Sequence, residues 1–300
     1  MMPATLALGT HRCREVAAAA RRAATAPDPW VDTAPNYLRG RAQTLLAPVL
    51  RAHPRLGIST KVGFVPAAEA AAAQRAGVLS PEEAASGHSL APAYVRWQLN
   101  RNRQQLGRSR LEVVLLHNPE RAGARTPEQV AAAFRVLEEE AAAGRIGGYG
   151  VATWSGFADG VLTVRGLLAA ARAAACGSAH HLVAVQLPVS LVMAGPLAAA
   201  LNDRGPIAEA AVANLDVYAS APLHGGELLA AATPELAAFI RPGLSVAGAC
   251  LLAVASCPGV SRVLVSASTA AHWDDALAGL AGGPLDSDHL RTVLDVLTPT

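Results

Sequence analysis

Leu111-Glu-Val-Val-Leu-Leu-His117, closed by Asn118-Pro119, is a short apolar run; residues 127–143 after it are helical in composition, and Ile146-Gly-Gly-Tyr-Gly-Val151 is a second short run. Strand, long helix and strand in that order make a parallel crossover, because a tight turn cannot join parallel strands. The same unit recurs outward in both directions. Runs bounded by turn residues predict strands at 6–10, 30–34, 56–61, 111–117, 146–151, 182–187, 215–220 and 260–266. Ala-, Leu- and Arg-rich stretches at 13–24, 41–52, 92–106, 127–143, 157–175, 197–213, 244–256 and 270–280 predict the helices between them, with a last helix at 287–297. Eight βα units in 300 residues favour a closed (β/α)8 barrel of the TIM type, one domain spanning 1–300, over an open dinucleotide-binding sheet. The turn after the first strand, Gly9-Thr10-His11-Arg12, lacks the glycine spacing of that alternative. Residues 62–90 form an unusually long connection, expected over the active-site face as a lid or a mobile insertion.

Composition narrows the function. The chain is 52% hydrophobic and 16% charged with a net charge of +2, so no basic face points to nucleic acid. The 67 alanines, rather than any bilayer-length apolar run, raise the hydropathy, and no membrane span is expected. Residues 1–8 lack the features of a signal peptide, and Cys13, Cys176, Cys250 and Cys257 form no C-x-x-C pair; a cytoplasmic location with reduced thiols and no metal site is expected. The partner is a small-molecule substrate. Of 25 basic residues, 24 are Arg and one is Lys61. Arg serves wherever a generic cation suffices, so the retained Lys suggests a role that only a compact ammonium fills.

Barrel active sites lie at the C-terminal strand ends. The second strand runs into Asp32-Thr33-Ala34-Pro35-Asn36-Tyr37, the third into Ser59-Thr60-Lys61-Val62-Gly63 and the fourth into His117. A tyrosine is a poor acid at neutral pH, but an ammonium beside it lowers its pKa; an Asp keeps that ammonium protonated, and a His orients a substrate carbonyl. Asp32, Tyr37, Lys61 and His117 thus suit a proton donor aimed at an oxygen.

These three motifs, in order on consecutive strands, resemble the aldo-keto reductases. The likeness extends to Leu8-Gly9-Thr10, the stretch from Gly144 to Val151, Gln186, the turn Pro222-Leu223-His224-Gly225-Gly226 and Pro258-Gly259-Val260. The resemblance implies a (β/α)8 barrel reducing an aldehyde or ketone with NADP or NAD, with Tyr37 as general acid, Lys61 and Asp32 as the pair that tunes it, and His117 orienting the substrate. It also implies cofactor contacts from Gly9, Thr10, Thr153, Gln186, Leu223, Gly225, Ser268, Thr269 and His272.

Several positions depart from the family's pattern. Ala152 stands where a Ser precedes Thr153's usual Asn, Val189 where an aromatic stacks on the nicotinamide, and Ala221 where a Ser precedes Pro-Leu. Ala276 replaces an Asn, and no Arg or Lys lies between Arg262 and Arg291, where a 2′-phosphate is normally met. Gln43 replaces Glu, and Leu38 replaces Gly. Weak nucleotide binding with little NADP preference is expected, which leaves a second function open: a lyase, isomerase or cyclase that keeps the four catalytic residues and moves protons only. Trp97, Trp154, Trp273 and residues 62–90 are candidate pocket walls.

Overall fold

The computed structural model describes residues 3–176 and 179–297. Strands β1 (Thr5–Gly9), β2 (Trp30–Asp32), β3 (Gly57–Val62), β4 (Leu111–His117), β5 (Ile146–Ala152), β6 (Leu182–Pro188), β7 (Asp216–Ser220) and β8 (Arg262–Val265) close into one barrel in sequence order. All eight pairings are parallel, β1 with β8 included. The strand ends differ from the sequence expectation by at most two residues, most at the C-terminal end of β2 and the N-terminal end of β8.

Two layers of core hold the barrel. Its interior is filled by Ala7, Val113, Leu115, Ala152, Ala184, Leu264 and the large Tyr218, with Trp30 against them. The larger layer lies between strands and helices. Alanine suits it: the residue fixes no side-chain rotamer and brings helix backbones close to the sheet. β5 is glycine-rich for a related reason, since a Cβ on Gly150 would lie 1.9 Å from the Ala184 carbonyl oxygen, beside the register shift at Tyr149/Gly150.

Two expected helices are corrected. Residues 197–213 are not one helix but two, Gly205–Val212 following Gly195–Ala200, because Asp203 (φ 53°) and Gly205 (φ 78°) turn left-handed between them. The helix expected at 157–175 begins only at Val164, where Thr163 Oγ1 accepts from Gly166 N and caps it. The connection from β7 also holds two short helices not expected, Leu228–Ala231 and Pro234–Ile240.

The excursion after β3 is built rather than loose. It contains helices Ala67–Arg75 and Pro81–Ser86, the second opened by a capping box between Ser80 and Glu83. Phe64 and His88 form an antiparallel bridge at its base, flanked by Val65 N to Gly87 O and Ser89 N to Gly63 O, each 2.9 Å. The chain then enters helix Pro92–Leu106, whose buried Gln98 and Asn102 grip β3: Gln98 Oε1 accepts from Gly63 N at 2.8 Å, and Asn102 Nδ2 donates to the Lys61 carbonyl at 2.9 Å. Gln43 completes this hub, bonding Thr60, Asn102 and Gln105 at 2.9 Å each. No described helix is long and apolar enough to cross a membrane.

Candidate active site

The ends of β2 and β3 carry a buried ion pair. Lys61 pairs in register with Leu115, an interior residue, so its side chain enters the barrel mouth. Its Nζ donates to Asp32 Oδ2 at 2.6 Å and to the Thr33 carbonyl at 3.1 Å. Asp32 Oδ1 accepts from Ser59 Oγ at 2.8 Å, and Ser59 in turn accepts from Trp30 Nε1 at 3.1 Å. Both carboxylate oxygens are thereby filled. Lys61 is 1% exposed. Burial alone would pull its pKa down, but Asp32 and Tyr37 outweigh burial and raise it, so the ammonium persists.

Tyr37 opens a short 3-10 turn, Tyr37–Gly40, whose Leu38 (φ 49°) and Arg39 (φ 55°) are left-handed. Glycine would take that conformation freely; a side chain there costs about 1 kcal/mol or more, borne by the surrounding structure. The Lys61 Nζ lies 5.0 Å from the Tyr37 ring centroid. Here the sequence expectation needs correction: burial raises the Tyr37 pKa, and the opposing Lys61 ammonium reduces the rise without reversing it. Tyr37 is therefore held as the protonated acid.

His117, 9% exposed at the end of β4, lies with its ring centroid 6.0 Å from that of Tyr37. Burial, then the charges of Lys61, His88, His11 and Arg121, push its pKa well below the ordinary value, and the imidazole is neutral. Its Nδ1 is buried with no hydrogen-bond partner among the described residues. An unfolded histidine protonates at about pH 6.5, so this group's contribution to stability is complete above that pH. It is lost as pH falls further, by about 1.4 kcal/mol per unit. Urea unfolding at about pH 7 and about pH 5 checks this; His117→Asn should shrink the difference, the remainder belonging to His11 and His88, which burial also pushes down, and an unchanged difference would refute it.

Sequence reasoning missed His11 and Phe64. His11 follows β1 and faces Tyr37 at 5.1 Å between centroids; Phe64 meets the His117 ring edge-on at 4.6 Å. The strand-end rule could have found His11, because Gly9-Thr10-His11 closes β1 as Lys61 closes β3. Of the three candidate tryptophans, Trp154 alone is at the mouth, 50% exposed and facing His224 at 6.4 Å between centroids. Trp97 stacks on Tyr94 at 5.9 Å, and Trp273 is core.

On the cofactor side, the expected residues divide into braces and available groups. Thr10 is fully buried, its Oγ1 within 3.1 Å of the Asp32 carbonyl and 2.9 Å of Thr33 Oγ1. Thr153 Oγ1 accepts from Gly156 N at 2.8 Å, and the Gly9 carbonyl accepts from Ser266 Oγ at 2.9 Å. Thr269 Oγ1 caps helix Ala270–Ala281 by accepting from His272 N. Gly225, in the β7 loop with Leu223, accepts from Arg12 Nη1 at 3.4 Å, and a Cβ there would lie 2.6 Å from that nitrogen. Gln186 is different: its Oε1 is buried and unpartnered, in register beside Ala152, which pairs with His117. Ser268 accepts from Arg14 N through Oγ at 3.0 Å and from Arg22 Nη2 through its carbonyl at 3.1 Å. One cation, the Arg22 guanidinium, thus approaches the 263–290 segment from the other end of the chain, a supply invisible to any reading of that segment alone.

Among the described residues no cluster of His, Cys, Asp or Glu could hold a metal ion. A sequence profile of the Aldo/keto reductase family matches residues 5–242. The chain belongs to the aldo/keto reductase family. Solved aldo-keto reductases share its architecture. AKR11C1 from Bacillus halodurans, in its holo form, is 15% identical with a TM-score of 0.67, over 100% of this chain and 93% of that one. A thermostable aldo-keto reductase, Tm1743, solved with the inhibitor epalrestat, is 17% identical with a TM-score of 0.69, over 98% and 94%. An aldo/keto reductase from Klebsiella pneumoniae, in complex with NADP and acetate, is 20% identical with a TM-score of 0.69, over 99% and 92%. At these identities the likeness is one of fold. No curated protein sequence matches the chain.

Proposed function

We propose that this aldo/keto reductase reduces a small aldehyde or ketone, using the buried Asp32–Lys61 pair beside Tyr37 as its proton-delivery unit. The observation that carries the reading is the Lys61 Nζ held 2.6 Å from Asp32 Oδ2 and 5.0 Å from the Tyr37 ring. Tyr37 donates the proton to the carbonyl oxygen; Lys61, kept charged by Asp32, stabilises the phenolate left behind. His117, neutral, offers a ring N–H to the same oxygen without competing as an acid.

The residues present fit a nicotinamide nucleotide. Gln186 Oε1, buried and without a partner among the described residues, would accept from a carboxamide NH2; Arg22 Nε, likewise buried and without a partner among them, lies beside the β8 loop, where the Ser268 and Thr269 hydroxyls would donate. A reduced nicotinamide supplies hydride when bound. Arg12 links the β1 loop to the β7 loop through its bond to the Gly225 carbonyl.

Binding is expected to be weak. Val189 is fully buried and gives no ring to stack on, Thr153 Oγ1 is already engaged, and the side chains of Ala152, Ala221 and Ala276 carry no polar group. Each lost hydrogen bond costs about 0.5–1.5 kcal/mol and a lost ring stack a similar amount. Titrating NADPH and NADH against tryptophan fluorescence, with exposed Trp154 as a reporter, should give dissociation constants roughly tenfold or more above the low-micromolar range, and less than about a tenfold gap between the two. Tight, strongly NADPH-selective binding would overturn this account of the loops. Undetectable binding by a protein that still transforms its substrate would favour the second reading, a proton-transfer lyase, isomerase or cyclase, which the engaged Thr153 and the buried Val189 support.

A further inference from the structure

His88 belongs to none of the catalytic motifs, yet it touches the site twice. Its Nε2 lies 2.8 Å from the backbone carbonyl of His117 in a buried contact, and its ring packs edge-on to Phe64 at 5.3 Å. Phe64 in turn packs edge-on to the His117 ring at 4.6 Å. A carbonyl only accepts, so Nε2 carries the proton and donates. Gly63 makes room for the contact: at φ +128°, a Cβ there would stand 3.0 Å from His88 Nε2 and 3.2 Å from the His117 carbonyl. The His117 Nδ1 is buried and finds no partner among the described residues, so no hydrogen bond from that nitrogen fixes the ring's orientation. Its pose depends on the strand end that carries it and on the aromatic edge against it. The next residue, Asn118, is already left-handed at φ 48°.

We propose that His88 is a positioning residue for His117, gripping its carbonyl directly and its ring through Phe64, so that the excursion after β3 sets the angle at which the imidazole meets the substrate oxygen. The kinetic consequence rests on the reductase reading; the geometric one does not. The excursion is then a fixed wall of the site. A tilt of the imidazole weakens the bond that polarises the carbonyl in the transition state, while nucleotide contacts on β6 to β8 are untouched, so kcat falls and cofactor KM does not.

His88→Phe keeps a ring against Phe64 and removes the donor. His88→Gln keeps an N–H donor. Gly63→Ala presses on the same contact from the other side. In uniformly folded samples carrying 13C-labelled histidine, with the His117 Cε1–H resonance assigned by His117→Asn, His88→Phe and Gly63→Ala should each shift that resonance, and His88→Gln should shift it less. Turnover should fall about tenfold in His88→Phe with cofactor KM unchanged, and recover by half or more in His88→Gln. An unmoved His117 resonance in both His88→Phe and Gly63→Ala overturns the proposal. So does a loss of turnover that follows the thermal midpoint equally in the Phe and Gln variants. If the wild-type protein reduces no carbonyl, the reductase reading fails while the resonance shifts still decide whether His88 positions His117.

Discussion

Tyr37→Phe should lower turnover by about 10²–10⁴-fold, the usual contribution of a positioned general acid, equivalent to about 3–5 kcal/mol of transition-state stabilisation. The variant should fold normally. Phe retains the ring that packs between His11 and His117, and only the hydroxyl is lost. Nucleotide affinity should not change, because the cofactor groups lie on other strands. Parallel measurement of kcat, the nucleotide dissociation constant and the thermal midpoint separates these outcomes. A folded variant with undiminished turnover would remove Tyr37 from the mechanism under either reading of the reaction, since both need its proton.

Lys61→Arg should inactivate as well, although Arg fills the other 24 basic positions of the chain. The pocket around Nζ is a point-charge site: Asp32 Oδ2 at 2.6 Å, the Thr33 carbonyl at 3.1 Å and the Tyr37 ring converge on one nitrogen. A planar guanidinium needs more room and spreads its donors over a fork. At 1% exposure there is no solvent side into which it can swing. Lys61→Met asks the complementary question. It removes the charge while roughly keeping the volume, leaves Asp32 buried and unpaired, and should cost about 3–5 kcal/mol of stability together with at least about 10² in turnover. Wild-type activity in Lys61→Arg, measured with chemical denaturation of both variants, would reduce the solitary lysine to an accident of composition.

The barrel was legible because each parallel crossover repeats the same pattern: an apolar strand that ends in turn chemistry, then an Ala-rich amphipathic segment. The reading failed where periodicity carries no information. Residues 197–201 and 207–213 are mostly apolar with helical composition, and the break between them is the five-residue stretch 202–206, left-handed at Asp203 and Gly205, which helical composition alone passes over. The positions of Asp32, Lys61 and His117 follow from the rule that strand ends carry the chemistry, whereas the Tyr37 pKa does not follow from its neighbours' charges. Burial depends on how the whole mouth closes, and no local motif reports it. The Arg14 and Arg22 contacts with Ser268 were hidden for the same reason, being set by the closure of β1 against β8. His88 was hidden because its partner is a backbone carbonyl, which no side-chain pattern encodes.

The solitary lysine has a consequence outside catalysis. Reagents that acylate, biotinylate or cross-link side-chain amines find no accessible ε-amino group anywhere on the folded barrel, because the one that exists is sealed between Asp32 and Tyr37. Its surface is cationic through guanidinium groups, which those reagents do not modify at neutral pH. The one ε-amino group is thus a concealed chemical tag, and covalent capture of Lys61 records each occasion on which the mouth of the barrel comes apart.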